Sequence, residues 1–348
     1  MNLRSLLLFV SLSASLILAD CSLPRVEVTF DPTATNTLTP TATGTIIPTD
    51  TPFPTIPPVA LGLAENPIIL ALPPTAKTQA EITAANQLAA QIRERTGYAV
   101  VTIIPDSYTA LIEALSIGNA HIVLLDPYAY VLAYQRGLVQ AAYAEFQDGE
   151  GLYGAQFIAA RKSGLQTYFN PITQENLVTD PTVALKQLAN KKPCWSDEVS
   201  ASGYVIPLGY LNSQEILTQP AAFVGGHPTV VRSLYASGIC DFGATYIDAR
   251  KFPSLEDQFP DLLEQVYVIW RIPKVIPYRV LALSTQMPED LRTQISALIP
   301  AILQTESGRS AFVTAYNINE LQAVNDGYYN EFRAYVQASQ VDLLNIVK

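Results

Sequence analysis

The chain has little of what metal and redox chemistry need. Among 348 residues there are 3 cysteines and 2 histidines, His121 and His227. No Cys-x-x-Cys pair occurs, so a structural zinc site is not expected. Nor does the sequence bring together a nucleophile, a base and a metal set, so no cofactor and no catalysis are expected. Basic residues are in deficit: 21 Lys and Arg stand against 31 Asp and Glu, a net charge of −10. An acidic surface argues against nucleic acid as the main partner, although backbone N–H groups can still hold a small anion locally. Long apolar runs are also lacking. The longest, Leu6 to Leu18, is too short for a comfortable transmembrane helix.

What is present begins with that run. Arg4, the apolar stretch and Leu18-Ala19-Asp20-Cys21 read as residues 1–21 of a signal peptide. Its end resembles a bacterial lipobox, in which the cysteine, here Cys21, is lipidated; Asp20 stands where Gly, Ala or Ser is usual. Residues 22–65 are rich in Thr and Pro, cannot bury enough to offset their ordering entropy, and read as a stalk. The rest is 49% hydrophobic over the whole chain, enough for two lobes. In an exported protein, Cys194 and Cys240 are the candidates for a disulfide, against the alternative of two buried thiols.

From Pro67 the pattern is strand, helix, strand, helix, strand, which predicts a parallel sheet. Thr78-Gln-Ala-Glu81 is a capping box. Ser107-Tyr108 opens the second helix, and Asp126 to Tyr130 follows the third strand, both where ligands of such sheets bind. A second lobe begins near Gly154, and the chain returns through Arg271 to Arg279. The expected organisation is lobe 1 over 66–153, lobe 2 over 154–271, and a return to lobe 1 over 272–348. Within lobe 2, Ser200-Ala-Ser-Gly203 sits at a helix start. Its N–H groups and hydroxyls suit a small tetrahedral oxyanion. The residues alone admit a second reading, an ordinary N-cap, and by themselves favour it.

Ser107-Tyr108, Ser-Ala-Ser-Gly203, Gly-Gly-His227 and Gly-Ile-Cys-Asp-Phe-Gly243 stand in the order and spacing of the phosphonate- and phosphite-binding proteins of ABC importers. From about Pro67 to Tyr335 the chain resembles that family. The resemblance implies an α/β, two-lobed periplasmic-binding-protein fold of type II, each lobe a mainly parallel sheet flanked by helices. It implies a phosphorus oxyanion held by Tyr108, Ser200, Ala201 through its N–H, Ser202, Gly203 and His227, with Tyr128 or Tyr130 lining the other lobe. The partner implied is an ABC permease, and the protein would be a monomer on the outer face of a bacterial membrane. The alternative is a sensing domain that signals to a membrane partner such as a kinase. One departure matters. The family's return segment usually continues Ile-Pro with Asn or Asp, where a carboxylate can pair with a ligand amine; here it is Ile276-Pro-Tyr278-Arg279. That points away from an aminoalkylphosphonate and makes Arg279 a candidate contact for phosphate, phosphite, a neutral-tailed phosphonate or a doubly anionic ligand.

Overall fold

A computed structural model describes residues 59–348 apart from Lys77 and Ser237. The signal peptide, Cys21 and the stalk up to residue 58 lie outside the described residues. In chain order the first elements are β1 (Ile68–Ala71), α1 (Gln79–Thr96), β2 (Val100–Ile103), α2 (Tyr108–Ser116), β3 (Ile122–Leu125), α3 (Pro127–Gln135) and β4 (Val139–Phe146). Then come β5 (Leu152–Ala160), a small hairpin of β6 (Phe169–Asn170) and β7 (Glu175–Asn176), α4 (Pro181–Leu185), β8 (Pro193–Trp195), α5 (Ile206–Ser213), β9 (Ala222–Phe223) and α6 (His227–Ala236). The chain continues through β10 (Phe242–Tyr246), α7 (Pro253–Gln258), α8 (Leu262–Gln265), β11 (Val266–Pro277) and β12 (Val280–Ser284). It finishes with α9 (Glu289–Leu303), α10 (Glu306–Tyr316), β13 (Glu320–Ala323), α11 (Asn330–Ser339) and α12 (Leu343–Ile346).

Among the described residues the strands form two large sheets, ordered β13-β4-β12-β3-β1-β2 and β11-β5-β10-β8-β9. Parallel pairing is confined to β2-β1-β3 in the first and β10-β8-β9 in the second. The remaining pairs are antiparallel, so both sheets are mixed rather than mainly parallel. The chain crosses between the sheets at β4–β5 and again at β11–β12, so β5 and β12 each enter a sheet from the other one and run antiparallel to both neighbours they meet there.

Strand periodicity sorts the core. In β3, Ile122 and Leu124 join the side covered by α1, α9 and α10, while Val123 and Leu125 face the side of α2 and α3. In β5, Phe157 and Ala159 join that second core too, and Ile158 and Ala160 turn to the far side of the second sheet. One apolar core therefore runs from one lobe into the other.

Three local outcomes differ from the expected boundaries. The stalk ends earlier than residue 65, since Leu61 packs against the first lobe and Gly62 lies at φ +96° under the Tyr98 ring. Strand β11 runs through Pro273 and Pro277, because it is an edge strand and its missing N–H groups cost little. The segment after 272 is not confined to lobe 1. Helix α11 packs on α5 of the second lobe, with Tyr335 against Tyr210 and the Asn212 amide donating to the Ala338 carbonyl. Phe332 and Tyr329 meanwhile pack on Tyr128 and Tyr130 of the first lobe. Cys194 and Cys240 form a disulfide, with Cα atoms 5.6 Å apart.

Candidate binding cleft

Strand β8 ends at Trp195, and at the next residue, Ser196, the chain is tied on three sides. The Ser196 N–H donates to the Gly203 carbonyl at 3.2 Å. Its carbonyl accepts from Gly225 and Gly226, at 2.8 and 2.7 Å. Those two glycines lie at φ +80° and +119°, a region that costs other residues strain, which is why Gly-Gly precedes His227. The Ser-Ala-Ser-Gly turn is thereby fixed beside the start of α6.

The turn itself is a π-type first turn, Ala201–Val205, running into α5. Ser200 Oγ accepts from the Gly203 N–H at 3.0 Å, so Ser200 does cap the helix. It also lies 3.4 Å from His227 Nε2. His227 Nδ1 accepts from the Tyr246 N–H at 3.4 Å, which leaves the ring proton on Nε2, facing Ser200. Burial lowers the His227 pKa to about 4, so the ring is neutral near pH 7. With two N–H groups directed at its oxygen, the Ser200 hydroxyl proton is left to donate outward. Capping and anion binding, posed as alternatives by the sequence, are compatible in this geometry.

Gly203 serves packing before it serves any ligand. A Cβ there would meet Ser196 Oγ at 1.8 Å and His227 Cε1 at 2.9 Å. Ser196 Oγ is buried and has no hydrogen-bond partner. Ser202 is buried too, and its hydroxyl bonds the Tyr153 hydroxyl.

From the first lobe, α2 and α3 present their first turns. Ser107 Oγ accepts from the Ala110 N–H, and the Asp126 carboxylate accepts from the N–H groups of Tyr128 and Ala129. Burial raises the Asp126 pKa despite those two donors. Between the lobes lies a cavity of about 570 Å³ lined by Tyr108, Asp126, Tyr128, Glu145, Tyr153, Ala201, Tyr278 and Arg279, among others. Desolvation raises the pKa of the Tyr108, Tyr128 and Tyr153 phenols, that of Tyr153 to about 12. All three stay protonated at neutral pH and can donate. The Tyr128 hydroxyl is buried without a partner on this wall.

Tyr130 is not brought to the cavity. Its hydroxyl donates to Asp326 at 3.0 Å and its ring packs on Tyr329, because residues 128 and 130 lie on different sides of the first turn of α3. Arg279 reaches the cavity but is engaged: it binds the Glu145 carboxylate through Nε and Nη2, at 2.7 and 3.0 Å. Glu145 itself is almost fully buried. Glu145, from β4, thus engages Arg279, which is not free for a second ligand anion. Glu145, Tyr153 and Ser196 escaped the sequence reading. Glu145 left a signal, a lone acid in the otherwise uncharged strand VQAAYAEF.

Comparison with known proteins agrees with this architecture. The family described as ABC transporter, phosphonate, periplasmic substrate-binding protein matches residues 70–329. The Phosphate-import protein PhnD of Mycolicibacterium smegmatis is 25% identical over 198 residues, covering 54% of this chain and 57% of that protein. The match thus spans little more than half of that relative's length. XAC2383 from Xanthomonas citri bound to ATP superposes with a TM-score of 0.57 at 14% identity, over 81% of this chain and 99% of that one. The same protein bound to chloride ion gives a TM-score of 0.56 at 14% identity, over 78% and 97%. These two likenesses bear on the fold alone. The sheets, the cavity between them and the 70–329 match converge: the chain belongs to the periplasmic substrate-binding family of phosphonate ABC transporters.

Proposed function

We propose that this protein captures a phosphorus oxyanion (phosphate, phosphite or a phosphonate) in the cavity between its lobes and delivers it to an ABC permease. The observation that carries the reading is the meeting of Ala201, from Ser-Ala-Ser-Gly, with Tyr108 and Tyr128 around one cavity. The first turn of a helix offers unpartnered N–H groups, and neutral phenols and hydroxyls supply donors without titrating. The ligand sits against Ala201 N–H and the outward proton of Ser200, and receives Tyr108 and Tyr128 from the opposite lobe. His227 acts through Ser200 as a neutral orienting ring, not as an imidazolium contact.

Closure follows from the crossings. Strands β5 and β11 pair across a register shift between Ile272 and Ile276, and Gly154 packs 2.8 Å (by its would-be Cβ) from the Ile272 carbonyl. This irregular ribbon is the proposed hinge. Lipidation of Cys21 would tether the protein to the membrane; no helix among the described residues is long and apolar enough to cross one. Metabolic labelling with an alkyne fatty acid tests the anchor, which predicts incorporation that Cys21→Ser abolishes.

Calorimetry with phosphate, phosphite, methylphosphonate, aminoethylphosphonate and sulfate tests the capture itself. The reading predicts binding of at least one phosphorus oxyanion and a loss of about tenfold or more in Ser200→Ala, the cost of a charge-assisted hydrogen bond. Parent protein that binds none of the panel refutes it.

A further inference from the structure

The two lobes bring different chemistry to the cavity. The second lobe presents the turn after Ser200, with its N–H and hydroxyl donors. In the first lobe the helix starts are largely taken up. The Ser107 hydroxyl takes the Ala110 N–H, and a carboxyl oxygen of Lys348 takes that of Tyr108 at 3.0 Å. The Asp126 carboxylate takes the N–H groups of Tyr128 and Ala129, both on Oδ1, at 2.8 and 3.0 Å. Oδ2 is left over. Among the described residues it has no hydrogen bond and no ion pair, and it is not sealed inside the protein. Asp126 lines the cavity, and its N–H donates to the hydroxyl of Tyr108, the phenol proposed to face the ligand.

A free acceptor at this place restricts what can bind. A ligand oxygen and Oδ2 are both acceptors, and they repel at hydrogen-bond distance unless a proton lies between them. Burial raises the Asp126 pKa, which favours such a shared proton. No other ionisable group on the wall satisfies Oδ2: Glu145 and Arg279 bind each other, and Tyr108, Tyr128, Tyr153, Tyr278 and Lys348 make no bond to it. The two bonds on Oδ1 restrain the carboxylate, so Oδ2 is held in place before any ligand arrives. The candidate oxyanions differ in this one respect. Phosphate carries a P–OH even as its dianion. Phosphite and methylphosphonate carry one only as monoanions, and sulfate carries no proton near neutral pH.

We infer that Asp126 is a specificity-determining residue of this cleft: its Oδ2 accepts a hydrogen bond from a P–OH group, so the cleft takes a phosphorus oxyanion in its protonated form and refuses protonless sulfate. This rests on the capture reading above. The donors of the second lobe hold the unprotonated oxygens, and Asp126 reads the one oxygen that bears hydrogen. Discrimination comes from the repulsive element, two acceptors facing each other, as much as from the bond gained. One residue thereby caps α3 through Oδ1 and tests the ligand through Oδ2.

The experiment is calorimetry on the full chain with phosphate, phosphite, methylphosphonate and sulfate, at pH values on either side of the second ionisation of phosphite and methylphosphonate. The parent should favour its best phosphorus probe over sulfate by about a hundredfold or more. Its affinity for phosphite or methylphosphonate should fall about tenfold per pH unit above that ionisation, because the complex keeps one proton that the free ligand has lost. Affinity for phosphate should not fall over the same range. Asp126→Asn keeps a favoured N-cap but can donate through Nδ2. It should bind sulfate within about tenfold of the phosphorus probe and lose the fall with pH. A role confined to capping would lower the melting temperature and leave both the preference and the pH profile as in the parent. Parent protein that binds sulfate as tightly as the phosphorus probe overturns the inference and leaves the capture reading intact, even where the variant does not fold. So does a folded Asp126→Asn with the parent's preference and pH profile. Aminoethylphosphonate bound more tightly than methylphosphonate by the parent but not by Asp126→Asn would assign Oδ2 to a ligand ammonium, and overturns it too. Parent protein that binds no phosphorus probe refutes both readings.

Discussion

At the residue scale, the cleft is built from groups that do two things at once. Ser202 is buried yet reaches Tyr153, whose ring stacks on Tyr278 at the crossing between lobes. Ser202→Ala and Tyr153→Phe should therefore be non-additive: each weakens binding several-fold, and the double variant loses little more than the worse single one, as a double-mutant cycle by calorimetry would show. Additive losses would mean that the two hydroxyls act separately. Gly203 makes a different prediction. With Ser196 Oγ 1.8 Å from its would-be Cβ, Gly203→Ala should cost roughly 1–3 kcal/mol of stability by overpacking, read in a denaturant melt. His227 gives a pH signature. Its folded pKa is lowered to about 4, below the unfolded value near 6.5, so the unfolded state binds the proton first. The parent should lose stability as pH falls from about 6.5 to 4, and His227→Gln should lose less over the same window, measured by thermal melts. An equal loss in both would show that the ring is not held neutral. Much of this was legible: Ser-Ala-Ser-Gly, Gly-Gly-His227 and Tyr108 are local patterns. Glu145, Tyr153 and Lys348 were not, because they reach the cavity only through tertiary placement from β4, β5 and the end of the chain. Tyr130 misled for the complementary reason, since position along a helix turn decides which of two neighbouring tyrosines faces the cleft.

At the element scale, periodicity and caps located most elements. The Thr78–Glu81 capping box opens α1 as expected, and Gly97 ends it in the left-handed region. Strands that alternate between two cores, β3 and β12, announced themselves as short apolar runs. Edge strands did not: β13 is half-exposed, carries no run of apolar residues, and exists by pairing with β4. Strand β11 was underestimated because its prolines read as a break, whereas an edge position tolerates them. The Cys194–Cys240 bond joins the middle of β8 to the turn before β10, two neighbouring parallel strands, across a separation of 46 residues. Loss of that link by Cys194→Ser/Cys240→Ser should cost roughly 4 kcal/mol on the chain-entropy account, seen as a lower denaturation midpoint.

At the scale of the whole molecule, two mixed sheets share a continuous core, and the segment 326–348 crosses between them twice. Tyr130, Tyr329 and Phe332 hold it to one lobe, Tyr335 and Asn212 to the other, and α12 returns it to α3. The two-lobe plan followed from the order of strands and helices. This strap did not, because nothing in an amphipathic helix states which lobe its apolar face will meet. Motion between the lobes must bend the β5–β11 ribbon and this strap together, so ligand should compact the protein without melting either lobe. The most direct test of the account is titration calorimetry of the parent and Ser200→Ala proteins with phosphate, phosphite and methylphosphonate. The account predicts that the parent binds at least one of them and that Ser200→Ala, still folded, binds it about tenfold more weakly or worse. Equal affinity in the two proteins would show that Ser-Ala-Ser-Gly is a helix cap and nothing more.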